Sequence, residues 1–123
     1  MSLKAYQSAA QQAESPRELE YRLFAEVTRS LIEASRKDLC EVGARMEALD
    51  WNRRLWEVLA GDCALPENRL DDSTRAQVIS LALFVRRHTP EVASGRESFD
   101  PLVEVNRTVM QGLAPPPSER TAA

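Results

Sequence analysis

A chain of 123 residues without an extended linker makes one domain, large enough to bury a core of its own. With 43% hydrophobic residues, 28% charged residues and a formal net charge of -3, its composition is ordinary globular material and gives no overall attraction for polyanions, so nucleic acid is not the default partner. The opening MSLKAYQSAAQQ lacks the apolar stretch of a signal peptide, and the most apolar run, ISLALFV at 79–85, falls far short of the roughly 20 residues a membrane span needs, so a cytosolic protein is expected.

In chain order, residues 3–13 place Leu3, Tyr6, Ala10 and Ala13 at spacings that allow a short helix. Ser15-Pro16-Arg17-Glu18 is a capping box with proline at the first helical position, so a long helix starts at Pro16. Its apolar stripe is Leu19, Leu23, Val27 and Leu31, flanked by Phe24, and it ends near Arg36. Asp38 followed by Glu41 repeats the capping logic and predicts a helix from about Leu39 to Ala60, closed by Gly61. After the turn-rich GDCALPENRL, Asp71 caps a third long helix, which Thr89-Pro90 should end or kink. Asp100 as cap and Pro101 at the first position predict a last helix over 101–113. The tail APPPSERTAA, 114–123, is too polar and proline-rich to pack and is expected to be disordered. No segment alternates as a strand does. The expected fold is all-α: a small bundle of four main helices plus a short N-terminal helix, with residues 1–113 as one domain.

Steps of about 100° per residue put Asn52 in the middle of an apolar stripe, among Leu49, Leu55, Trp56 and Leu59. Asn106 is set in the same way among Leu102, Val103, Val109 and Met110, and Glu20 among Leu19, Leu23, Val27 and Leu31. Arg75 projects from the third long helix beside Ile79 and Ala82. Buried polar groups cost several kcal/mol, on the order of the lost hydration, unless they are hydrogen-bonded, so Glu20, Asn52, Arg75 and Asn106 are expected to form an internal polar network. The alternative is a groove covered by a partner. Trp51, Asn52, Arg53, Arg54 and Trp56 are the candidate partner-binding residues, with Trp56 turned toward the core and Trp51 at the rim, where aromatic anchors of interfaces are common.

Catalysis has little support, since there is one histidine, no phosphate-cradling glycine loop and no cluster of metal ligands. His88 near a helix end suits the helix dipole better than a catalytic role. Cys40 and Cys63 lie outside any CxxC spacing and are expected to be free thiols. No cofactor, metal or small-molecule substrate is expected.

Five segments, SPRELE at 15–20, NRRLW at 52–56, PENRL at 66–70, RAQVISLALFVRRHTPEV at 75–92 and NRTVMQGL at 106–113, together resemble the FlaF family of flagellar biosynthesis regulators. The family's motif positions fall on Pro16, Arg17, Glu20, Asn52, Arg53, Leu55, Trp56, Asn68, Leu70, Arg75, Asn106 and Gly112. Asp71 departs from the proline of many members, and the two cysteines are not a family feature. The resemblance implies an alphaproteobacterial protein needed for flagellin production. It implies flagellin as the partner, bound by a cytosolic export chaperone, with FlbT, the regulator of flagellin messenger RNA, as a second partner. The competing implication is post-transcriptional control, exerted directly on flagellin messenger RNA or through FlbT. Arg53/Arg54 and Arg86/Arg87 would serve the direct form, but the acidic net charge argues against it.

Overall fold

The computed structural model describes residues 16–113, which form α1 (Pro16–Ser35), α2 (Val42–Cys63), α3 (Asp72–Ala93) and α4 (Asp100–Leu113), with no strand among them. The short connections 36–41, 64–71 and 94–99 make successive helices antiparallel neighbours. α1 packs against α2 and α4, α2 packs against α3, and α3 meets α4 over a small area only. Phe24, Val27 and Leu31 of α1 meet Leu49 and Trp56 of α2, Val85 and Val92 of α3, and Leu102 and Val103 of α4 in one core. Phe24 and Trp56 pack edge to face, with ring centroids 5.7 Å apart.

Helix α1 starts and stops where its sequence predicts. The ends of α2 differ. It begins at Val42, because Glu41 makes no side-chain cap and Asp38 contributes only its carbonyl, which accepts the Glu41 N–H. It also runs past Gly61 to Cys63, whose side chain is fully buried, so the extra turn adds core contact that the glycine does not prevent. Asp71 caps α3 as expected, accepting the Thr74 N–H at 3.0 Å. Pro90 does not end that helix, which continues to Ala93. Thr89 and Val92 are buried on the turn around it, and this packing outweighs one missing hydrogen bond on the exposed side. α4 opens one residue early, at Asp100, because the Phe99 carbonyl takes the Leu102 and Val103 N–H groups while the Phe99 ring anchors in the core. Among the described residues Gly95 alone has a positive φ, 82°, and a Cβ there would meet Leu39 at 2.8 Å, so the α3–α4 turn is built on glycine. The proposed helix over 3–13, the Ser15 cap and the tail 114–123 lie outside the described residues.

Candidate partner-binding site

The amides predicted to sit mid-stripe are fully buried and bonded to each other. Trp56 Nε1 donates to Asn106 Oδ1 at 2.8 Å. Asn106 Nδ2 donates to Asn52 Oδ1 at 2.9 Å and to Thr28 Oγ1 at 3.1 Å. The Thr28 hydroxyl in turn donates to the Phe24 carbonyl at 2.6 Å. The indole can only donate, so it fixes the Asn106 oxygen toward Trp56 and the nitrogen toward Asn52, which must then present its own oxygen. The Asn52 nitrogen is left as a buried donor with no partner. Three helices, α1, α2 and α4, are thereby locked in one register.

Glu20 and Arg75 are not members of this network. Glu20 does face inward on α1, but it lies a turn before Phe24, at the open end of the bundle, and it is exposed. Burial of its inner side, and secondarily the charge of Asp62, push its carboxyl above the usual range. Arg75 instead donates from Nε to the Cys63 carbonyl at 2.9 Å, closing the end of α2, with Asp72 at 3.9 Å.

The candidate contact residues divide by depth. Asn52 and Trp56 are 0% and 1% exposed and are core, whereas Trp51 is 40% exposed. Arg53 bridges Asp50 at 2.7 Å and Glu57 at 2.6 Å, and Arg54 meets the other Asp50 oxygen at 2.9 Å. The hydrogen bond from Arg53, and then the charges of both arginines, hold Asp50 below the usual carboxylate range. The arginine pair is therefore largely neutralised by its own helix.

Beside these residues a groove of about 190 Å³ runs between α2 and α3, with Arg53, Glu57 and Ala60 on one bank and Ile79, Leu83 and Arg86 on the other. Trp56 and Val85 reach its floor. Its origin is α3, which carries two apolar faces. Val85 and Val92 point into the core, while Ala76, Ile79 and Leu83 repeat at i, i+3 and i+7 on an exposed stripe. The smooth, all-round apolarity of 79–85 is the signal for this second face.

Sequence reasoning missed Arg45. It is 8% exposed, donates to the Val92 carbonyl at 3.3 Å and lies 5.0 Å over the Phe99 ring, so it joins α2 to the end of α3 and to the connection that follows. His88 stacks on Phe84, and its Nε2 lies 3.2 Å from the Ser98 carbonyl in the α3–α4 connection. Both cysteines are free thiols, Cys40 exposed and Cys63 buried. Among the described residues no helix is long and apolar enough to cross a membrane, and no three His, Cys, Asp or Glu side chains are grouped to hold a metal ion.

In comparison with known proteins, neither a curated protein nor a solved structure matches the chain. The model of the family described as flagellar protein FlaF matches residues 2–113.

Proposed function

The chain belongs to the FlaF family of flagellar proteins, and on that premise we propose that it binds flagellin as a cytosolic export chaperone and so promotes flagellin synthesis and secretion. The observation that carries this reading is the second apolar face of α3, laid beside the small residue Ala60 of α2 and covered by nothing in the chain's described residues. An amphipathic helix, disordered until assembly, suits such a groove, burying its own i, i+3, i+4 and i+7 positions. Trp51 and Arg54 do not line the groove and are offered as further contacts on exposed positions of α2. The role is one of binding, without a catalytic step, and translational control then follows from client occupancy or from FlbT. Direct reading of messenger RNA is disfavoured by the carboxylates that already hold Arg53 and Arg54.

The test is a titration of the purified protein with flagellin from its own organism, followed by tryptophan fluorescence at low and high salt, with the flagellin messenger leader titrated in parallel. Saturable binding of flagellin that tolerates salt, with no RNA binding, is the expected result. Leu83→Glu, on an exposed side chain, should weaken flagellin binding about tenfold or more, and the pair Trp51→Ala and Arg54→Ala should weaken it less. RNA binding that collapses at high salt, with no flagellin binding, would replace this reading with the messenger-binding one.

A further inference from the structure

A second cavity, of about 390 Å³, opens at the end of the bundle where α1 begins and α4 finishes, on another side of α3 from the groove. Leu59, Val78, Leu81 and Val109 make its walls apolar, and Glu20 and Asp62 bring two carboxylates to it. Glu20 is turned inward because it falls on the stripe that continues as Phe24, Val27 and Leu31. Neither carboxylate has a cation: among the described residues no basic nitrogen lies within 4.0 Å of either. Asp62 receives only a 3.4 Å bond from Asn68, and the nearby Arg75 is committed to the Cys63 carbonyl and Asp72. Burial first, and then the charge of Asp62, raise the Glu20 carboxyl, and burial first, with Asp62 and Glu20 against the opposing Arg75, raises the Cys63 thiol. Two like charges at an apolar mouth, with no counterion among the described residues, favour a ligand that supplies positive charge at the end of a hydrocarbon stem.

We propose that this cavity is a docking site for a lysine or arginine side chain carried on an amphipathic helix of a partner protein. The alkyl stem packs along Leu59, Val78, Leu81 and Val109, and the cationic head bridges Glu20 and Asp62. This is a different place from the α2–α3 groove, and it does not depend on flagellin being the client.

The probe is n-hexylammonium, compared with hexan-1-ol and hexanoate, titrated into the full-length protein with labelled Leu and Val methyl groups and followed by NMR. Shifts should saturate at Leu59, Val78, Leu81 and Val109, with n-hexylammonium bound about tenfold tighter than the alcohol and hexanoate weakest. In the double variant Glu20→Gln, Asp62→Asn the preference for the cation should vanish while alcohol binding remains, which also shows that the cavity is intact. Equal affinity for the three probes overturns the proposal, as does a cation preference that survives the double variant or shifts confined to other methyl groups. A final arm compares a helical peptide bearing one Lys among its apolar positions with the same peptide bearing norleucine. The Lys peptide should bind tighter to the wild-type protein and equally to the double variant, and no difference on the wild-type protein counts against the site.

Discussion

Asn106 is the centre of the buried network, serving as acceptor for Trp56 and as donor to both Asn52 and Thr28. Asn106→Ala removes three hydrogen bonds, strands the indole N–H in the core and leaves a cavity, so it should cost about 3 kcal/mol or more. Asn52→Ala removes one bond and at the same time eliminates a donor that had no partner, so it should cost clearly less, about 1–2 kcal/mol. Urea unfolding of the two variants, followed by Trp56 fluorescence, checks the order, and a larger loss at Asn52 would mean that its nitrogen has a partner, such as a buried water. Both amides were legible as polar residues inside apolar stripes, and the structure shows them buried. What spacing could not give was their pairing across helices, since residues 52 and 106 meet only when α2 and α4 are packed. Arg45→Met, which keeps bulk but removes the bond to Val92 and the charge over Phe99, should cost about 1–2 kcal/mol in the same assay.

Helix ends respond to pH in opposite directions. At the start of α3 the Thr74 side chain and N–H hold the Asp71 carboxyl below its ordinary value of 3.8, so its contribution is fully present above that value and is lost as pH falls through the lowered one. Asp71→Ala should lower Tm at pH 7 and have little effect in strong acid. At the start of α1, Glu20 has its carboxyl raised above 4.5, by burial first and by Asp62 second. The folded state then binds the proton more readily than the unfolded state, so stability declines as pH rises from 4.5 through the raised value. Glu20→Gln should therefore raise Tm slightly at pH 7 and leave it unchanged well below pH 4.5. Thermal melts across this range test both signs. The helix start at Pro16 and the cap at Asp71 were readable because they are local backbone chemistry. Gly61 was misread as a stop, and of the two outcomes expected at Pro90 the ending did not occur, because the burial of Cys63, Thr89 and Val92 on the adjoining turns is a tertiary effect, and burial outweighs the weak preference of a single breaker.

At the scale of the molecule, α3 is the helix held least evenly: it packs well on α2 and little on α4, with the groove on one side and the acidic cavity on another. Groove and cavity make separable predictions, since Leu83→Glu should spare hexylammonium binding and the Glu20, Asp62 double variant should spare salt-tolerant docking in the groove. By itself the sequence determined the helical class, the order of the four helices, which faces are apolar and the family, because periodicity, caps and motif residues are written along the chain. Only the tertiary structure decided that Glu20 and Arg75 stay apart, that Asn52 and Asn106 bond each other across helices, and that a buried Arg45 joins α2 to the end of α3 and the connection after it. The physical reason is that these outcomes depend on where each helix ends relative to its neighbours and on which distant side chains reach bonding distance, and those distances exist only after packing.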